Sequence, residues 1–167
     1  MHWGYLDCIY RRTPDGAFPY DSLAALFGKA HPAEGDLTAA LSERFSELVL
    51  ASSGMCYAPM GVGNHVDHQI VHRAAEQMER AVCFYEDYPY AEEAEAVERA
   101  LSDGAWREER MPISEEALEA RIAASACYAS QLEALGWDDA QDMATSMRAF
   151  ARRVGQGQPA ERCWRRA

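Results

Sequence analysis

The sequence predicts an α/β fold with a mostly parallel sheet, and two apolar runs with a helix between them lead to this prediction. The run MCYA at residues 55–58 and the run AVCFY at residues 81–85 are short, apolar and predicted to be buried strands. Residues 65–80 lie between them and place Ile70, Ala74 and Met78 on one helical stripe. A strand, a helix and a strand at this spacing form a βαβ unit, in which the two strands are parallel.

Length, charge and apolar content bound the class of protein. The chain has 167 residues, of which 49% are hydrophobic, so we expect one globular domain over residues 1–167. Its formal charge of −11 argues against a nucleic-acid partner, which requires a basic surface.

The five cysteines form no CxxC pair and predict reduced thiols rather than a disulfide framework. No basic leader and no long apolar run is present, which predicts a cytoplasmic protein without a membrane span.

The rest of the chain is mainly helical in its pattern. A helix beginning near Asp36 is predicted from the stripe Leu37, Leu41, Phe45 and Leu48. Another is expected over residues 91–103, and residues 106–113 suit either a short strand or an extended connector. Ser114 is a good N-cap for a helix that runs to Gly136, and a last helix is predicted over residues 138–154. The final stretch, GQGQPAERCWRR, is predicted to be an irregular tail.

Three of the five histidines lie in the stretch GVGNHVDHQIVH, residues 61–72. His65, His68 and His72 share one helical face and follow a predicted strand, at the edge where open α/β sheets bind ligands. A catalytic zinc takes three protein ligands from His, Asp or Glu, and a further carboxylate often orients a ligand histidine. Helical histidines also cap helices, pair with carboxylates or face solvent, and for His72 this structural role is the favoured one.

Several motifs in order resemble those of one enzyme family. His65-Val66-Asp67-His68 resembles a His-Pro-Asp-His motif with Val in place of Pro, and VCFYEDYPYA at residues 82–91 resembles the strand and acidic-aromatic loop that follow it. Shorter matches are GYLD at residues 4–7 together with Tyr10 and Arg11, YASQ at residues 128–131 and AER at residues 160–162. Together they resemble the PIG-L (LmbE-like) family of metal-dependent N-deacetylases, and the resemblance runs the length of the chain.

This resemblance implies a Rossmann-like three-layer α/β sandwich that binds Zn²⁺ and hydrolyses the N-acetyl group of a GlcNAc-type sugar conjugate or related amide. By position, His68 resembles the metal ligand of the motif. His65 resembles the catalytic histidine that stabilises the tetrahedral intermediate or protonates the leaving amine, and Asp67 would orient His65. A metal lowers the pKa of a bound water, and a charged imidazole stabilises the negative charge that develops on the carbonyl oxygen.

The acidic-aromatic loop supplies candidate contacts to an amino-sugar conjugate. Tyr88 and Tyr90, together with Tyr85, could stack on a pyranose ring, although aromatic residues at strand ends also serve packing. Glu86 and Asp87 are adjacent and point to opposite faces of an extended segment, so they are a poor catalytic pair. We expect one of them, with Glu86 as the candidate, to act as a cap or to bind the substrate.

The family's first motif, Ala-His-Pro-Asp-Asp-Glu, carries two more metal ligands and the general base and is not found. The string AHPAE at residues 30–34 lacks both aspartates and follows no apolar strand, so we interpret it as a loop before the helix near Asp36. The chain therefore resembles the C-terminal two thirds of the family domain, with the N-terminal strands missing. It keeps one clear metal ligand, and one imidazole does not hold a catalytic zinc.

Three alternatives stay open at this point. The chain is an incomplete version of a deacetylase, or a degenerate and non-catalytic binding or accessory protein, or an enzyme with a rebuilt metal site. A rebuilt site would draw on His31, Glu34, His72, the loop at residues 86–87 or a second subunit. An uncovered sheet edge also predicts self-association, so a homodimer through that edge is expected.

Overall fold

The computed structural model describes residues 3–50, 54–102 and 104–167, and in these ranges the chain forms six α-helices and four β-strands. The helices are α1 (Leu23–Leu26), α2 (Gly35–Leu50), α3 (Val66–Glu76), α4 (Ala94–Leu101), α5 (Glu115–Ala126) and α6 (Ala140–Val154). The strands are β1 (Cys56–Pro59), β2 (Val82–Tyr85), β3 (Trp106–Pro112) and β4 (Ala160–Arg166). None of the helices in these ranges combines the length and the apolar content needed to cross a bilayer.

The chain divides into two compact units. The first extends to Trp106 and includes Arg165–Ala167, and the second is Arg107–Trp164. The expectation of one domain over residues 1–167 stays a prediction.

The first unit contains the predicted βαβ arrangement. β1 and β2 are parallel, and their register runs from Cys56 opposite Val82 to Pro59 opposite Tyr85. Helix α3 connects them, which confirms the α/β fold class and the parallel pairing. Because both strands end at the same edge, the segments that follow Pro59 and Tyr85 emerge side by side.

Helix α3 is packed from two directions. On one side, Leu41 of α2 joins Ile70 and Ala74 of α3 in a buried cluster to which Phe45 also packs. On the other side, Cys8 and Tyr20 of the N-terminal segment pack against Val66 at the start of α3. Burial of a large aliphatic side chain such as Ile70, which is 2% exposed, contributes about 1.5–3 kcal/mol. These clusters fix the helix terminus that carries the histidines.

The strands β3 and β4 form an antiparallel pair, so not all strands of the described chain are parallel. β3 and β4 are neighbours, and the N–H of Ile113 donates to the carbonyl of Pro159 at 3.0 Å. At the other end of the pair, Ala167 donates to Ala105, also at 3.0 Å, so the strands run in opposite directions. The prediction of an irregular C-terminal tail is wrong, because β4 forms from residues 160–166.

The helix predicted from Ser114 to Gly136 is shorter than expected. Ser114 caps α5 as predicted, accepting from the N–H of Ala117 at 3.1 Å. The buried residues of α5 are Leu118 and Ile122, and the next residues on that stripe are small. With no further apolar residue to bury, α5 ends at Ala126, and two 3₁₀ turns follow.

The cysteines differ from the sequence prediction at two positions. Cys8, Cys56 and Cys127 are free thiols. Cys83 and Cys163 are disulfide-bonded, so the prediction of reduced thiols is wrong for both. Their spacing in the sequence carries no signal of this. The cytoplasmic location stays a prediction.

Candidate active site

The carboxyl ends of β1 and β2 carry the candidate site, as the βαβ pattern predicts. Residues 60–64 connect β1 to α3, and residues 86–90 follow β2. The two segments are tied together, because the N–H of Val62 donates to Oδ2 of the buried Asp87 at 2.8 Å. The contact lies beside the N-terminus of α3, the position where open α/β sheets bind ligands. We call the region bounded by Val62, His65, His68, Asp87 and Tyr90 the crevice.

His68 lies in the first turn of α3 and faces the same carboxylate. Its Nδ1 is 2.7 Å from Oδ1 of Asp87, although the ring N–H is not aligned for a hydrogen bond. Neither atom has a hydrogen-bond partner elsewhere in the described part of the chain. The His68 side chain is 37% exposed, whereas that of Asp87 is fully buried. Because the carboxylate lies against Nδ1, Nε2 is the ring nitrogen that can bind a metal. Metal-binding histidines commonly use this arrangement.

His65 is the N-cap of α3 and lies next to His68. Its Nδ1 accepts from the N–H of Asp67 at 3.3 Å, and the centroids of the His65 and His68 rings are 5.2 Å apart. Burial and the neighbouring His68 lower the pKa of His65 from its ordinary value. The lowered pKa favours a neutral ring at neutral pH, against the charged form that the family resemblance implies.

Asp67 is held by the N-terminal segment of the chain. Its Oδ1 accepts from Nη2 of Arg11 at 2.6 Å, and its Oδ2 accepts from the N–H of Cys8 at 3.2 Å. Arg11 also donates from Nε to Glu34 at 3.0 Å. Burial lowers the pKa of Arg11, but the hydrogen bonds to both carboxylates outweigh this and raise it. In the sequence, Arg11 belongs to the short match near the N-terminus and has no predicted role of its own, and orientation of His65 by the Asp67 carboxylate stays a prediction.

Aromatic rings close the other side of the crevice. The Tyr90 ring lies 6.5 Å from the His68 ring and 5.8 Å from the Phe27 ring, between ring centroids, and Phe27 is 5.5 Å from His65. Gly63, with φ of +83°, lies directly under Tyr90, and a Cβ at this position would be 2.2 Å from Cγ of the ring. The glycine therefore allows both the turn and the close approach of the ring.

The remaining predicted substrate contacts are less exposed than the sequence suggested. Tyr88 is half-buried and Glu86 is 6% exposed. Tyr85 is 39% exposed, and burial followed by the nearby Asp87 raises its pKa. The same two causes raise the pKa of Tyr90. Substrate binding by Tyr88, Tyr90 and Glu86 stays a prediction.

The contacts of the alternative ligands lie elsewhere. Nδ1 of His72 is 3.0 Å from the carbonyl oxygen of Pro59, and its ring packs on Phe84 with centroids 4.5 Å apart. Nδ1 of His31 accepts from the N–H of Ala33 and caps a 3₁₀ turn, as a loop residue would. Glu34 pairs with Arg11.

Among the described residues of the first unit, potential metal ligands meet in one group of three. Donor atoms of Cys8, His65 and Asp67 lie within 4.8 Å of one another, and among the described residues His68 belongs to no such group. Burial, followed by the charge of Asp67, raises the pKa of Cys8 to about 12, which opposes the thiolate that a metal requires. A catalytic zinc takes three protein ligands, so this part of the chain does not fit a complete zinc site.

Comparison with known proteins shows the fold. No family model and no curated protein matches the sequence. The zinc-inhibited form of the teicoplanin deacetylase Orf2 is similar, with a TM-score of 0.72 and 20% identity, covering 98% of this chain and 66% of that one. A second structure, a deacetylase–bog complex from teicoplanin biosynthesis, has a TM-score of 0.70, 22% identity and coverage of 98% and 65%.

A third structure, the A40926 pseudoaglycone deacetylase Dbv21, has a TM-score of 0.60 and 24% identity over 78% of this chain and 56% of that one. This chain therefore spans less than two thirds of the length of each of these proteins. All three are deacetylases by name. The fold that the PIG-L resemblance predicts is confirmed.

Proposed function

We propose that the protein belongs to the PIG-L-like deacetylases and acts as a metal-dependent de-N-acetylase of a GlcNAc-type sugar conjugate or related amide. One observation carries the proposal. His68 faces the buried Asp87 at 2.7 Å in a crevice at the carboxyl ends of two parallel strands, with His65 beside it. The similarity of the whole chain to deacetylase structures supports the same reaction class.

The residues of the crevice suit the steps that involve the substrate. Hydrolysis of an N-acetyl group adds water across the C–N bond, so the leaving amine must receive a proton. His65, whose ring lies at the N-terminus of α3 beside His68, would take up the proton that the attacking water loses and pass it to the amine, a role that a neutral ring can begin. The face of Tyr90 offers an apolar surface on which a pyranose ring can stack. When bound, Zn²⁺ would supply an activated water, and His68 is the crevice residue placed to contribute a ligand.

A second function is favoured by the incomplete ligand set. In the described part of the first unit His68 joins no group of three ligand atoms, and the group that does exist contains a thiol with a raised pKa. A protein that binds an N-acetylated sugar without cleaving it would need the aromatic wall and not the metal. This is the degenerate, non-catalytic alternative.

One experiment separates the two. The purified protein is incubated with Zn²⁺ and N-acetylglucosamine conjugates, free amine is quantified by mass spectrometry, and binding of the same conjugates is measured by calorimetry. The variants are His65→Ala and His68→Ala, with His31→Ala as a matched control because His31 is exposed and caps a separate turn.

A deacetylase releases amine, loses at least about 100-fold of its rate in both crevice variants and keeps it in the control, because His65→Ala removes an acid–base group and His68→Ala removes a metal ligand. A binding protein binds the conjugate, releases nothing and loses affinity in Tyr90→Ala. Absence of both binding and release would refute both functions.

The edge of β1 supports the proposed homodimer. β1 pairs with β2 on one side, and Tyr57 within it and Met55 just before it are 50% and 46% exposed. An exposed strand with apolar side chains is a template for pairing with a second copy. Light scattering at increasing protein concentration should give twice the monomer mass for the wild type and the monomer mass for Tyr57→Lys. A monomer at all concentrations would contradict the proposal.

A further inference from the structure

A second cavity borders the crevice and contains a single cationic side chain. It has a volume of about 410 Å³ and is lined by Gly61, Gly63, Asn64, Ala96, Arg99 and Ala100. Four of these residues have at most a methyl side chain, so the floor of the groove is formed largely by backbone and Cβ atoms. Such a floor admits a ligand group of appreciable size close to Arg99.

The polar groups of this groove differ in their availability. Nδ2 of Asn64 donates to the carbonyl oxygens of Phe27 and Gly28 at 2.8 and 2.7 Å, so its amide is already used to fix the turn. Nη1 of Arg99 is 3.8 Å from Oε2 of Glu95, which is too long for a hydrogen bond. The side chains of Arg99 and Glu95 are 67% and 89% exposed, and an ion pair between such exposed side chains is weak. The guanidinium of Arg99 can therefore exchange Glu95 for another anion.

The groove and the crevice share one wall. Gly63 lines the groove and also lies against the Tyr90 ring of the crevice. Asn64, the next lining residue, directly precedes His65. A conjugate whose acetamide lies beside His65 thus has the groove as the adjoining space for its remaining part.

We propose that this groove binds an anionic substituent, a phosphate or carboxylate, of the amino-sugar conjugate, and that Arg99 determines this specificity. The proposal rests on the proposed function, because it assigns the second half of the same ligand. Guanidinium groups bind phosphate and carboxylate through two parallel hydrogen bonds, a geometry that selects planar or tetrahedral oxyanions. The chain carries a formal charge of −11, so an anionic ligand gains little from the protein as a whole and depends on the local cation.

The test compares three probes by calorimetry at low ionic strength: N-acetylglucosamine, N-acetylglucosamine 1-phosphate and inorganic phosphate. The variant is Arg99→Gln, and Arg73→Gln is the control, because Arg73 is an exposed helical arginine that donates to Gln69 four residues earlier. Ala100→Leu is a second variant that fills the groove and leaves the charge intact.

We expect the phosphorylated sugar to bind about tenfold more tightly than the neutral sugar, which is the gain in affinity that one charge-assisted hydrogen-bonded pair provides. Arg99→Gln should abolish this preference and leave the affinity for the neutral sugar unchanged, and Ala100→Leu should weaken binding of the phosphorylated sugar alone. Equal affinities for both sugars, or a preference that survives in Arg99→Gln, would overturn the proposal while leaving the proposed function intact. If neither sugar binds, the proposed function is refuted, and the proposal for the groove is refuted with it. Binding of inorganic phosphate alone would overturn the proposal too, because it would show an anion site unrelated to the sugar.

Discussion

Replacement of Arg11 by alanine should destabilise the first unit by about 3 kcal/mol, because it leaves two carboxylates without their counter-charge. The side chains of Arg11 and Glu34 are 14% and 10% exposed, so this pair is nearly desolvated. Oε2 of Glu34 has no hydrogen-bond partner within the described ranges, which increases the dependence of that carboxylate on Arg11. Breaking a buried pair typically costs about 3–5 kcal/mol, and the value here is at the lower end because Asp67 is 28% exposed.

The assay is urea unfolding followed by tryptophan fluorescence, and a double-mutant cycle isolates the ion pair. Glu34→Gln and the double variant Arg11→Ala/Glu34→Gln complete the cycle, and Arg73→Ala is an exposed control expected to change stability by less than about 0.5 kcal/mol. The double variant should be less destabilised than the sum of the single variants by at least about 1 kcal/mol. Additive losses, or a loss for Arg11→Ala no larger than for the control, would refute this description of the network.

Three further predictions concern the loop beneath Tyr90 and the buried thiol. Gly63→Ala should lower the free energy of unfolding by about 1–3 kcal/mol, because a Cβ would be 2.2 Å from Cγ of Tyr90; an unchanged urea midpoint would contradict this contact. Asn64 has φ of +65° and donates two side-chain hydrogen bonds. Asn64→Gly should therefore lose only the stability that these bonds provide, whereas Asn64→Ala should lose more because it adds backbone strain. Equal decreases in the free energy of unfolding would exclude the strain. The pKa of Cys8 is raised to about 12, so about one thiol in 10,000 is ionised at pH 8. Iodoacetamide should therefore modify the exposed Cys127 first and Cys8 only in denaturant. Modification of Cys8 in the native protein, seen by peptide mass mapping, would contradict its burial.

The βαβ core could be predicted from the sequence because its signal is local. The apolar runs around Cys56 and Cys83 and the stripe through Ile70 each lie within a few residues, and the sequence also placed His65 and His68 at the carboxyl end of β1. Local periodicity is what sequence patterns report.

The support of the site could not be predicted, because it comes from distant parts of the chain. Arg11 reaches Asp67 across 56 positions in the sequence. Pairing of side chains over such separations leaves no periodic pattern. The contact of Asp87 with Val62, 25 residues earlier, is of the same kind, since it depends on the register of two strands. The end of α5 was missed for a different reason, as small residues after Ile122 keep high helix propensity but bury little.

We propose the crevice that holds His65, His68 and Asp87 as a deacetylase-type site in which His68 is a metal ligand. The most direct measurement is titration of the purified protein with Zn²⁺, with metal content determined by elemental analysis, for the wild type, His68→Ala and the His31→Ala control. We expect Zn²⁺ to bind to the wild type and to the control, weakly because the ligand set of the described residues is incomplete, and with at least about a tenfold loss of affinity in His68→Ala. The same affinity in all three proteins, or no zinc in any of them, would contradict the assignment of His68 and leave the crevice as a binding site without a metal.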